Sequence, residues 1–379
     1  MINSRFFIKV SHKKRIFFLS FYLFTAYLSL FIILRVFNND KTKNEFNDDK
    51  KQNVLGFCLT LIPSFIMGTG YAFGESTVLG YLKAFPKDLV GGWSSGTGLS
   101  GLTGGTLNLL VKIFKVDLQY LYIGVSPFCF AYFVLFFCAD RLKAKYDAEI
   151  ESGTIIGPLQ PEDSVEAPSP KTSEEKDVVP TKDNKDIKNK EMNLGNFLSA
   201  FTAGSHIIIN LGLVYFLEFT TLNGVTERIS QKVSAKVKEG EADYYLNLYE
   251  MFCLCYQIGV FISRSSLQIV KKIPRAWIFS VCQAVNMVLW ILDYYCGILF
   301  GFYVRGPLLI VLGFFGGGAY AACFYQILQS KDIPQDLKEL CVNIATICND
   351  IGTLGSGLMV LLLHKVIMTN PTGKTTLIR

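Results

Sequence analysis

Apolar runs of about twenty residues, separated by short polar connections, recur along most of the chain. They fall at about 16–36, 54–83, 91–112, 118–140, 196–219, 244–270, 276–296, 307–329 and 340–365. About twenty apolar residues in a helix cross the hydrocarbon core of a bilayer. A helix also satisfies its own backbone hydrogen bonds, which lipid cannot do. The pattern therefore predicts an all-α polytopic membrane protein of about nine helices. The first run follows Arg5, Lys9, Lys13, Lys14 and Arg15. It is too long for the apolar core of a secretory signal, and no clear small-x-small cleavage site follows, so it reads as an uncleaved span.

The pattern breaks once. Residues 141–193 are rich in Glu, Lys, Asp and Pro, a composition that buries too little apolar surface to fold. This divides the chain into an N-terminal helical bundle (1–140, about four spans), a disordered loop (141–193) and a C-terminal bundle (194–379, about five spans). Within the loop, Glu151 to Ile156 reads "ESGTII", close to an acidic-dileucine sorting signal, so trafficking proteins are candidate partners there. Basic residues next to spans mark the cytoplasmic side. Arg141, Lys143, Lys145, Lys271, Lys272 and Arg275 place the N-terminus and the loop in the cytosol. Lys41, Lys43, Lys50, Lys51, Arg228, Lys232, Lys236 and Lys238 then lie on the far side.

Composition agrees with this class. Half of the 379 residues are hydrophobic and 18% are charged, below the roughly 25% of soluble domains. The net charge of +6 sits beside the spans, so it signals lipid headgroups and not nucleic acid. Ten scattered cysteines form no CxxC pair and read as small core residues.

Gly91 to Gly105, "GGWSSGTGLSGLTGG", holds seven glycines and five Ser or Thr. No GK[ST] follows, which excludes a phosphate loop. On a helix, Gly92, Gly96, Ser100 and Gly104 share one face, with Thr97, Gly101 and Gly105 in the next row. Gly70 and Gly74 are spaced as GxxxG. Small residues let membrane helices approach closely. The stretch is read as a helix packed against neighbours through Gly92, Gly96, Ser100 and Gly104, either for packing alone or beside a cavity. Gly316 to Gly318 lie mid-span, and Gly352 and Ser356 are four apart. A glycine triplet weakens a helix and points to moving or discontinuous helices.

Ionisable residues inside spans cost about 2.5–3.5 kcal/mol each on insertion scales, so each needs a reason. Glu75 lies too far from the end of its span to snorkel, and Tyr71, one turn earlier, is its candidate partner. Asp350, beside Asn349, is near the centre of the last span. Arg264 lies seven residues before Lys271 and could partly snorkel. Glu218 is near the end of span five, where it either marks the interface or joins a pathway. For Glu75 and Asp350 the alternatives are a satisfied buried pair and a functional site. The expectation is that Glu75, Arg264 and Asp350 share an interior between the halves. His206 and Asn210 form a polar pair at i, i+4, read as helix packing. No HExxH motif and no metal-ligand cluster occurs, so no enzyme, cofactor or metal is expected.

In order, "FGEST", "WSSGTG", "YFLEF", "YQIGVFISRSSL", "GGGAYAACFYQI" and "ATICNDIGTLGSGL" resemble the battenin family, lysosomal or vacuolar membrane proteins linked to juvenile Batten disease. The resemblance runs from about residue 54 to 368, excluding the 141–193 loop. It implies a two-bundle architecture similar to major facilitators, with the N-terminal bundle here incomplete. It also implies a role in lysosomal or vacuolar pH, basic amino acid levels and glycerophosphodiester clearance. The matching positions are Glu75, Ser94 to Gly98, Glu218, Gln257, Arg264 to Ser266 and Asp350.

Two functions from different classes remain. One is a secondary transporter of a small polar or phosphorylated solute, with Arg264 attracting an anion and Glu75 or Asp350 carrying protons. Its substrate or proton pathway would draw on Glu75, Tyr71, Ser94, Ser95, Thr97, Glu218, Gln257, Arg264, Ser265, Asn349 and Asp350. The other is a membrane scaffold acting through protein partners.

Overall fold

The computed structural model describes residues 10–39, 49–82, 88–152, 194–234, 247–266, 275–299 and 301–367. Among these, every regular element is helical. The helices before the polar segment are α1 (His12–Asn39), α2 (Asp49–Leu82), α3 (Asp88–Ile113), α4 (Leu118–Val125) and α5 (Phe128–Glu151). After it come α6 (Leu194–Thr220), α7 (Glu227–Ser234), α8 (Leu248–Ser266), α9 (Ala276–Cys296), α10 (Gly301–Gln329) and α11 (Lys338–Leu362). A wide turn of π-helix, Thr221–Thr226, joins α6 to α7. Residues 153–193, with most of the expected loop and the "GTII" end of the sorting-like stretch, lie outside the described residues, as do Lys271 and Lys272.

Among the described residues, seven stretches are long and apolar enough to cross a membrane. The two expected spans that fall short are α3, of 26 residues, and α8, of 19. Both are still long enough to span at about 1.5 Å per residue. Their hydropathy is diluted by glycine, serine and charge, and they solve that problem together, because α3 lies along α8. The expected span 118–140 is two helices in line, notched at Pro127, whose ring nitrogen has no hydrogen to donate. Helix α5 then continues through Arg141–Glu151, beyond the expected end of its span. Ion pairs Lys143–Asp147 (2.7 Å) and Lys145–Glu149 (3.8 Å), each one turn apart, run along this extension.

Around α1 are gathered α2, α4 and α5. Here Ile16, Leu19, Val78 and Phe136 form a small buried cluster. The GxxxG pair does bring α2 onto α1. A Cβ at Gly70 would stand 2.7 Å from Leu23 Cδ2, and one at Gly74 2.8 Å from Leu19 Cδ2.

The second group, α6 and α8–α11, is packed backbone to backbone. A Cβ at Gly259 of α8 would collide with the Ile310 carbonyl of α10, and one at Gly313 with the Tyr256 carbonyl. Gly212 of α6 and Gly352 of α11 meet in the same way. The glycine triplet does not break α10, which is continuous from Gly301 to Gln329. Each of its glycines makes room for a different neighbour: Gly316 for the Glu218 carboxylate, Gly317 for Ser263 and the Val260 backbone, Gly318 for the Phe279 ring. The triplet is a packing device, which corrects the expectation of a discontinuous helix.

Candidate functional site

The seam between α3 and α8 is antiparallel and polar along its length. At one end Lys112 pairs with Glu250 (2.8 Å). Next, the Gln257 side chain lies over Gly101, in space that any Cβ there would fill. Arg264 follows: Nη1 donates to Thr97 Oγ1 at 2.8 Å, and Nη2 donates to Tyr215 OH of α6 at 3.3 Å. Ser95 and Ser265 share a hydroxyl bond of 2.8 Å at the other end. The "SSGTG" and "SRSS" stretches therefore recognise each other. Close approach is possible because Gly98 faces Phe261 Cα and the Arg264 side chain.

The row in contact is Gly98, Gly101 and Gly105. The expected row, Gly92, Gly96 and Gly104, has nothing within 4 Å of a Cβ among the described residues, and Ser100 is exposed. That expectation is corrected. Four-residue spacing finds a face that small residues share, but only the partner decides which face is covered.

Beside the seam, Tyr320 of α10 joins both charges. Its hydroxyl donates to Glu75 Oε1 of α2, and its ring lies 4.0 Å from the centre of the Arg264 guanidinium. Glu75 is buried, at 4% exposure. Glu75 Oε2, Arg264 Nε, Ser94 Oγ, Trp93 Nε1 and Asn349 Oδ1 are all buried with no hydrogen-bond partner among the described residues. Burying polar groups in this state costs about 1–3 kcal/mol each.

Tyr71 is not the partner of Glu75; it stands 58% exposed. Asp350 is exposed on α11, while its neighbour Asn349 is buried. Asp350 is thus not buried as Glu75 is.

Glu218 is no interface marker. It is 1% exposed and accepts a 2.6 Å bond from Tyr256 OH in the interior of the second group. It sits just before the π-helical turn, where Thr220, Thr221 and Thr226 bond back to carbonyls four residues earlier. Asn210 accepts from Ser280 of α9 at 2.7 Å and donates to the His206 carbonyl at 2.6 Å, so this pair joins α6 to α9.

Sequence reasoning missed Tyr215, Tyr256 and Tyr320. Their rings count as apolar in any hydropathy pattern, and nothing local links residue 320 to residue 75. It also missed Asp293 and Arg305, a buried ion pair (2.9 Å) closing the turn between α9 and α10.

A family profile described as CLN3 protein matches residues 3–370. The chain belongs to the CLN3 family. The match takes in α1, so family likeness begins well before residue 54. Battenin of Dictyostelium discoideum is 28% identical over 338 residues, covering 84% of this chain and 75% of the relative. Protein BTN1 of Candida glabrata is 26% identical over 313 residues, covering 79% and 72%. Battenin of Canis lupus familiaris is 26% identical over 297 residues, covering 77% of this chain and 61% of the relative. As a member of the CLN3 family with seven candidate spans, the chain is a multi-pass membrane protein.

Proposed function

We propose that the chain is a secondary transporter of the lysosomal or vacuolar membrane, moving a small polar or phosphorylated solute between its two helix groups. The glycerophosphodiester and basic amino acid classes are the first to try. One observation carries the reading: a buried carboxylate and a guanidinium, from helices before and after the polar segment, meet on one tyrosine with polar atoms left unpartnered. Transporter sites lie near the midplane, where two bundles meet and polar groups face one another. Arg264 supplies a cation for an anionic group, and Glu75 a carboxylate to carry a proton. The N-terminus and residues 153–193 lie in the cytosol in this reading, and a two-bundle arrangement of the major-facilitator kind accompanies it.

The test is flux in proteoliposomes holding the purified full chain, with a panel of glycerophosphodiesters and of lysine and arginine under a proton gradient. Uptake of at least one solute that is lost in Arg264→Gln and Glu75→Gln supports the reading. No gradient-driven uptake of any of them overturns it. A scaffold is the second reading, favoured by the charged Arg141–Glu151 extension leading into a long polar segment. Deleting 144–190 abolishes the function of a scaffold and largely spares a transporter.

A further inference from the structure

We infer that Tyr320 couples proton uptake at Glu75 to parting of the α3–α8 seam. The inference rests on the proposed site and adds a positioning residue and a direction of coupling to it.

Tyr320 is 2% exposed and touches both charges at once: its hydroxyl holds Glu75 of α2, and its face holds Arg264 of α8. Arg264 has no carboxylate within 4.0 Å among the described residues, so Tyr320 is the body that stands between cation and anion. With Glu75 ionised, its bond from Tyr320 is charge-assisted and about twice as strong as a neutral one. The guanidinium is then balanced across the ring. Once Glu75 takes a proton, that bond weakens, and Arg264 is left as an uncompensated cation held by neutral partners, Thr97, Tyr215 and the Tyr320 face. Water or an anion entering the seam relieves this, so the protonated state favours separation of α3 from α8.

The other titratable groups facing this region are Tyr71 of α2, Tyr215 and Glu218 of α6, Tyr256 of α8 and Asp350 of α11. Glu218 is tied to Tyr256 within the second helix group and spans no seam. Asp350 is exposed and is not a hydrogen-bond partner of Tyr320. Of these groups, Glu75 is the carboxylate whose bond links α2 to α10.

The test uses Ser95→Cys with Ser265→Cys, whose hydroxyl oxygens are 2.8 Å apart, in the full chain in lipid nanodiscs. Disulfide formation with added oxidant is followed by peptide mass spectrometry, which separates this pair from the native cysteines. Divided by the rate of a control pair inside the second helix group, Asn210→Cys with Ser280→Cys, which removes the loss of thiolate in acid, cross-linking is expected to slow about tenfold from neutral to acidic pH, a factor worth about 1.4 kcal/mol. Glu75→Gln in the same background should be slow at both. Tyr320→Phe keeps the ring on Arg264 and loses the hydroxyl, so it should fold and lose the pH response. A wild-type pH response surviving in Tyr320→Phe overturns the inference, as does no response in the parent pair. Should Tyr320→Phe fail to fold, Glu75→Gln decides alone: a retained acid response overturns the inference, a lost one supports it. A pH response that depends on Tyr320, without flux of any solute, sinks the transport reading and leaves this one standing.

Discussion

In the group α1, α2, α4 and α5, helices touch through the tips of side chains. Leu19 and Leu23 lie on Gly74 and Gly70, and rings meet at Phe17–Phe133, Phe24–Phe130 and Tyr81–Phe136. In the group α6 and α8–α11, backbone meets backbone at Gly259, Gly313, Gly212 and Gly352, and buried polar groups bond between helices. Lipid tails are as apolar as leucine, so burying leucine inside a membrane gains little. Close packing and interhelical hydrogen bonds hold membrane helices together. The second group uses both means heavily. The first relies on contacts that a side chain can adjust.

The sharpest break should come at the buried pair of the second group. Asp293→Ala leaves Arg305 without its carboxylate and the Leu299 amide without its acceptor. A loss of about 3–5 kcal/mol is expected, read as a steep fall in thermal midpoint and in monodisperse yield from detergent. Asp293→Asn should recover part of it.

Gly259→Ala comes next. The Ile310 carbonyl in its way is backbone and cannot swing aside. Overpacking of this kind costs about 1–3 kcal/mol, and a thermal melt of the purified variant should show it. Gly70→Ala sharpens the contrast, because the obstacle there is the end of the flexible Leu23. A shift under about 1 kcal/mol is expected for a rotamer adjustment. Equal losses at positions 70 and 259 would sink the distinction between the two groups.

The smallest effect tests the seam. Gly96→Ala meets nothing within 4 Å among the described residues and should be neutral or stabilising by up to about 1 kcal/mol, the helix-propensity gain of Ala over Gly. Gly98→Ala, only two residues on, meets Phe261 Cα at 3.0 Å and should destabilise the contact with α8. A thermal midpoint that falls as far for Gly96→Ala as for Gly98→Ala would refute the assignment of the packed face.

Much of the site was legible before folding. Glu75 and Arg264 stand out because charges inside apolar runs are expensive, and the resemblance to battenins added Ser95, Thr97, Gln257 and Ser265. What the sequence lacked was pairing. Tyr71 is the neighbour of Glu75 along the helix, yet Tyr320, far along the chain, bonds to it. Asp350 resembles Glu75 as a charge in a span, but is exposed.

By itself the sequence determined the class of protein and the course of its spans. Hydropathy and the need to satisfy backbone hydrogen bonds are local demands, and each segment meets them alone. Only the tertiary structure decided which glycine row is covered, that the glycine triplet packs without breaking α10, and that three tyrosines join the charged interior. Those outcomes depend on the shape and hydrogen-bond needs of helices distant in sequence, and periodicity along one helix carries no record of which neighbour will lie against it.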